Sequence, residues 1–210
     1  AMLAAALSTV KGNVAAARGL AKVLRAEAKR HNSAKAAAAF AAAGGAAAAV
    51  SAVSELCFLD DPTGHAALSP SLPPERINAA TDNVAALADL AAAGGAAQTA
   101  VIEAGASARV KAVLVHHNGQ NKFVRLYIQV CRLAGNLCFG GAYNFGGAYH
   151  LFGNVVVFAD DATSFRWAAH VIWNACTHLE IARANLHRCR NDTGSVVEAL
   201  VRGAMRFPGV

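Results

Sequence analysis

Leu133-Ala-Gly-Asn-Leu-Cys138 decides how this chain is read, because the phrase returns along it. It recurs as Val53-Ser-Glu-Leu-Cys57 and Val171-Ile-Trp-Asn-Ala-Cys176, with a weaker copy at Ala86-Leu-Ala-Asp-Leu-Ala91. Aligned on the polar residue, the copies fall at Glu55, Asp89, Asn136 and Asn174, spaced by 34, 47 and 38 residues. Imperfect self-similarity near 40 residues is the signature of an α-helical repeat array. Such arrays present binding surfaces, so a non-catalytic protein is expected, with no cofactor and no metal.

The segment leading into the phrase supports a helix over 122–138. At 3.6 residues per turn, Leu126, Val130, Leu133 and Leu137 share one face. Val124, Tyr127, Ile128, Cys131 and Cys138 share the opposite face. Arg125, Gln129, Arg132 and Asn136 form a polar stripe between them. A helix apolar on two sides is sandwiched between neighbours. Leu133, Leu137 and Trp173 are expected as core positions.

Working outward, three regions emerge. Residues 1–64 read as N-terminal helical repeats, with helices over 8–33, 34–43 and 46–59 and a stop at Gly44-Gly45. Residues 65–80, holding Pro70, Pro73 and Pro74, read as a loop, with the next helix starting near Thr81-Asp82. Residues 81–210 read as further repeats. They are interrupted at 139–149, where Phe-Gly-Gly-Ala-Tyr occurs twice and predicts an inserted loop with exposed aromatics. Val155–Phe158 is the nearest approach to a strand. Ser195 with Glu198 three residues on is a capping box that predicts a last helix.

The chain has 210 residues, 55% of them hydrophobic and much of that Ala, the best helix former. The class is therefore all-α. Residues 36–54 are uncharged but Ala-dominated and broken by glycines, so they read as packed helices and not as a membrane span. The net charge of +6 favours acidic partners. Five cysteines, an odd number set in apolar helical phrases, read as reduced thiols of a cytoplasmic protein rather than a disulfide framework.

The same residues resemble the armadillo repeat family. Ala97-Gln-Thr-Ala-Val-Ile-Glu-Ala-Gly-Ala-Ser107 is similar to its short first helix and Ala-Gly turn, 108–117 to its second helix, and Phe123–Cys138 to its long third. Residues 164–176 resemble another third helix and Ile181-Ala-Arg-Ala-Asn-Leu186 the next first helix. The match covers roughly 84–138 and 160–202 and is loose before residue 60. The resemblance implies an armadillo-type solenoid, a right-handed superhelix of four to five degenerate units. It also implies third helices lining a concave face and a role in scaffolding protein–protein contacts. One departure stands out: where peptide-binding members carry a Trp one turn before the third-helix Asn, this chain has Arg132 and His170, and Trp173 directly precedes Asn174.

Three sets of residues are candidates for function. The ladder Glu55, Asp89, Asn136 and Asn174 would project from successive third helices, where amides could hold a peptide backbone; the bland alternative is that each ties the array together. The stripe Lys11, Arg18, Lys22, Arg25 and Lys29 falls within a sector of about 60° on one helix, suited to an acidic partner or simply solvated. A second basic cluster is Arg183, His187, Arg188 and Arg190. Cys176, His178, His187 and Cys189 carry zinc-ligating atoms, but their internal spacing points them to different helix faces. No Ser/His/Asp set, phosphate loop or dinucleotide fingerprint appears.

The expected partners are other proteins with acidic surfaces. An Ala-rich, Lys-poor composition suggests a GC-rich genome and, from it, a cytoskeletal or ciliary assembly. The alternative is an RNA-binding helical-repeat protein of an organelle, since residues 1–26 lack any acid and resemble a transit peptide. A thiol or metal enzyme is the third possibility, supported only by scattered Cys and His.

Overall fold

Asn13 opens the first helix: its side-chain oxygen accepts the Ala16 N–H at 3.1 Å and satisfies one of the donors a helix start leaves bare. The structure, a computed structural model, describes residues 13–30, 37–39, 41–59, 67–68, 72–115, 123–145, 148–157, 159, 161–178, 180, 190–191 and 194–209. Within them lie α1 (Val14–Arg30), α2 (Ala46–Cys57), α3 (Pro74–Ala92), α4 (Gly95–Glu103), α5 (Ala106–Val115), α6 (Val124–Cys138), α7 (Tyr149–Val157), α8 (Ala162–His178) and α9 (Val196–Arg206). Two antiparallel pairs of two residues each accompany them: β1 (Phe58–Leu59) with β2 (Ala67–Leu68), and β3 (Arg190–Asn191) with β4 (Gly194–Ser195). The class is all-α.

Four long helices, α1, α3, α6 and α8, pack side by side in that order. They run the same way. Arg18 meets Asp82 and Arg25 meets Asp89, so position advances together along α1 and α3. Gly135 approaches His170 and Asn174, while Phe139, one turn on, meets His178, so α6 and α8 are also parallel. The shorter α2, α5, α7 and α9 pack against this row and onto one another. A single core runs between the two layers, with Leu87, Leu90, Leu126, Leu133 and Leu137 fully buried in it. One apolar face expected of α6 is buried throughout; on the other, Tyr127, Cys131 and Cys138 are buried while Val124 and Ile128 stay half-buried, Ile128 at the wall of an open trough.

Glycine sets the closest approaches. A methyl group on Gly135 would lie 2.9 Å from His170 Cδ2, so α8 crosses α6 where no side chain intervenes. Gly94, with φ of 70°, makes the turn between α3 and α4 that an L side chain resists.

Several expectations need correction. The loop expected over 65–80 ends early, because α3 begins at Pro74 and not near Thr81. Proline in the first turn of a helix loses only a hydrogen bond that turn does not make, and its ring presets the helical φ. The helix expected over 8–33 is described as Val14–Arg30, with Asn13 as its cap. The insertion at 139–149 does not expose its aromatics as a set. Phe139 is 60% exposed, but Phe145 and Tyr149 are buried with Phe152, ring centres 5.3–6.3 Å apart. Rings of that size gain too much from burial to stay in water when a helix, α7, follows at once. Val155 and Val156, the candidate strand, lie inside α7. Trp173, expected in the core, is 70% exposed.

Candidate functional site

The ladder is brought together only in part. Asp89, Asn136 and Asn174 lie on α3, α6 and α8, successive members of the row; Glu55 lies near the end of α2, outside it. The two amides are engaged within the protein. Asn136 Nδ2 donates to the Ala88 carbonyl at 2.9 Å, and Asn174 Nδ2 donates to the Gly135 carbonyl at 2.9 Å. In each case the acceptor stands one residue before the ladder position of the preceding helix. The repeated Asn therefore fastens α6 to α3 and α8 to α6. The Glu55 carbonyl accepts from the Arg76 guanidinium.

The basic stripe meets acids of the same chain. Arg18 Nε lies 3.4 Å from Asp82 Oδ2, and Arg25 Nε lies 3.1 Å from Asp89 Oδ2. Asp89 also takes the Arg132 guanidinium. Arg132 reaches back to the previous helix, as Asn136 does. Lys22 is exposed; Lys11 and the side chain of Lys29 lie outside the described residues. So do Arg183, His187 and Arg188 of the second cluster, while the backbone of Arg190 forms part of β3.

Between α1, α3 and α6, Arg18, Arg25 and Asp82 line an open trough of about 370 Å³, with Asn78, Thr81, Ala85, Arg125, Ile128 and Gln129 also in its wall. Arg125 is exposed and makes no ion pair among the described residues; the acid in the same wall, Asp82, pairs with Arg18. Three guanidinium groups in the wall, those of Arg18, Arg25 and Arg125, stand against one carboxylate, that of Asp82. The trough is therefore electropositive. Sequence reading missed Asn78, and it placed Arg125 on a polar stripe without a role. The signal was present in the heptad spacing of Arg18 and Arg25 against Asp82 and Asp89, but pairing the two heptads needs the fold.

Gln98 was also missed. Its side-chain amide donates to the carbonyls of Asn136, Leu137 and Phe139 at 2.7–3.3 Å, closing the end of α6. At the start of α8, Asp161 accepts the N–H groups of Thr163 and Ser164 and the Ser164 hydroxyl. Burial alone would raise the Asp161 pKa, but these three hydrogen bonds outweigh it and hold the carboxyl below its usual range.

Chemistry of other kinds finds little purchase. Burial pushes the Cys57, Cys131 and Cys138 thiols up to about 12, which leaves them protonated and weakly nucleophilic at neutral pH. Among the described residues no three His, Cys, Asp or Glu side chains gather as a metal ion would need, and no helix is long and apolar enough to cross a membrane. No family model matches this chain, and no curated protein resembles it closely enough in sequence to count as a relative.

Proposed function

We propose that this chain is a non-catalytic armadillo-type solenoid of four to five degenerate units that scaffolds protein–protein contacts by holding an acidic protein segment in the trough. Support for the repeat reading comes from the parallel row, in which Asn136 and Asn174 make the same bond to successive helices. The observation that carries the partner class is Arg125, an exposed guanidinium beside Arg18 and Arg25 whose only acid in the shared wall is Asp82. Arginine binds carboxylates in a two-pronged geometry and favours interfaces where a charge must be met. Asn78, also exposed in that wall, offers an amide to a peptide backbone. The cytoskeletal or ciliary setting is proposed on composition alone.

Among the described residues no aromatic side chain lines the trough, and aromatic stacking is what holds single-stranded RNA in a basic groove. This observation ranks an acidic protein segment above the organellar RNA reading. The test is fluorescence anisotropy with a labelled Glu-rich dodecapeptide and a labelled oligouridine of equal charge. The peptide should bind, and its affinity should fall as salt rises. Arg125→Glu should weaken it by about fivefold, equivalent to roughly 1 kcal/mol, without lowering Tm. Binding of the oligouridine with none of the peptide would make the chain an RNA-binding protein. Binding of neither at low salt would remove the acidic partner.

A further inference from the structure

The trough side of the row repeats itself, and its two copies differ. Arg25, Asp89 and Arg132 form one rung across α1, α3 and α6, with Asp89 between the two guanidinium groups. Seven residues earlier on each of the three helices stand Arg18, Asp82 and Arg125. Seven residues are nearly two turns, so in parallel helices this second set falls on the same faces, about 10.5 Å nearer the helix starts. The first rung is closed: Asp89, 10% exposed, is held by both arginines. The second is open. Asp82, 32% exposed, takes Arg18 at 3.4 Å, and Arg125 makes no hydrogen bond or ion pair among the described residues.

We propose that a phosphorylated serine or threonine of the partner closes the open rung, its phosphate set between Arg125 and Arg18. The inference rests on the trough being the seat of an acidic protein segment, and it names the acid that segment carries. Charge supports it. Each rung sets two guanidinium groups against one carboxylate, so the pair of rungs carries a surplus of two positive charges. A phosphomonoester brings about −1.5 to −2 charges at pH 7, more than a carboxylate does. The only other acid of α3 is Glu75, exposed and outside the trough wall, and α6 has none. Glu75 lies toward the start of α3, so its charge favours the rung over the helix start as the place for an anion. Hydrogen bonding supports the same group. Gln129 Oε1 already accepts from Arg132 Nη1 at 3.2 Å, which leaves its amide N–H groups for a ligand, and exposed Asn78 brings a second amide to the wall. A phosphate offers three acceptor oxygens, so one group can meet two guanidinium forks at once. The phosphodiester of a nucleic acid has less charge per phosphorus and fewer free oxygens to give.

The test is fluorescence anisotropy on the whole chain with two labelled Glu-rich dodecapeptides of equal net charge. One carries phosphoserine-alanine at its centre and the other Glu-Glu. The phosphopeptide should bind about fivefold more tightly or better, the margin expected of a two-pronged charged contact. Arg125→Lys keeps the charge but loses the fork. It should weaken both peptides and the phosphopeptide more, so that the preference falls below about twofold, with Tm unchanged because Arg125 is exposed. Binding of the phosphopeptide alone also supports the proposal. Equal affinity of the two peptides overturns it and leaves the acidic-segment reading standing. A preference that survives Arg125→Lys in full overturns it too, since the phosphate would then sit elsewhere. Tighter binding of a labelled oligouridine of the same charge overturns it in favour of RNA. Binding of neither peptide at low salt removes both this inference and the reading it rests on.

Discussion

Replacing Asn174 by Ala asks whether the repeated Asn fastens the fold or waits for a ligand. The residue is 5% exposed. Its amide donates to Gly135 O at 2.9 Å and stands 3.2 Å from His170 Nε2. Both bonds would be lost, at roughly 1 kcal/mol each and somewhat more if a buried group is left without a partner. Gly135 O keeps the N–H of Phe139, so it is not orphaned, but the His170 nitrogen loses its donor. Ala returns about 0.6 kcal/mol through its better helix propensity. The net cost is roughly 1–2.5 kcal/mol, a drop of roughly 2–10 °C in Tm for a chain of this length. Thermal unfolding followed by far-ultraviolet circular dichroism measures it. Asn174→Asp should cost more than Asn174→Ala at neutral pH, since a carboxylate would face the Gly135 carbonyl. A Tm within about 1 °C of the parent for Asn174→Ala would refute the reasoning and return the amide to the list of ligand contacts.

Glycine substitutions should split by surroundings. Gly203→Ala would put a methyl 2.0 Å from Phe165 Cε2, so it should destabilise by roughly 1–3 kcal/mol despite the gain in helix propensity. Gly19→Ala has open space around it inside α1 and should stabilise by roughly 0.4–1 kcal/mol; urea denaturation of the two variants checks the contrast. Acidification should loosen the contact of α6 with α8. Burial, and then the nearby Arg166, hold the His170 pKa below its ordinary 6.5. The unfolded chain therefore takes up the proton first, and the stability due to His170 is whole above that pH and declines as pH falls from it. Tm measured against pH should fall less steeply there in His170→Gln; parallel curves would show that His170 contributes nothing.

The helical class and the composition of the α6 faces were legible in the sequence because 3.6-residue periodicity is a local property. So were the positions of Asn136 and Asn174, since a repeated bond leaves a repeated residue. What the amides bond to was not legible, because a helix wheel shows which side faces a neighbour but not which atom of that neighbour is near. Trp173 was misread through its residue type. On the wheel Phe165, Ala168, Val171, Ile172 and Ala175 form the covered sector, and Trp173 falls well outside it. The second Phe-Gly-Gly-Ala-Tyr copy was misread through its glycines, which weaken helices but do not keep Phe145 and Tyr149 from packing under α7. Of the basic stripe, Arg18 and Arg25 both face α3, where the acids they meet lie 64 residues away in sequence.

The parallel sense of α1, α3, α6 and α8 has an electrostatic consequence of its own. Each helix carries a macrodipole equal to roughly half an elementary charge at either end. In antiparallel neighbours these fields cancel, but here four positive ends share one edge of the row and four negative ends the other. Asn78 is the fifth residue of α3 and Arg125 the second of α6, so one end of the trough lies at the positive edge. The backbone thus adds to the field of the guanidinium groups, and it does so in a way that no surface substitution removes. A bound segment with unequal charge along its length would be oriented across the row, acidic end toward the helix starts. That polarity would fix the direction in which such a segment leaves the row.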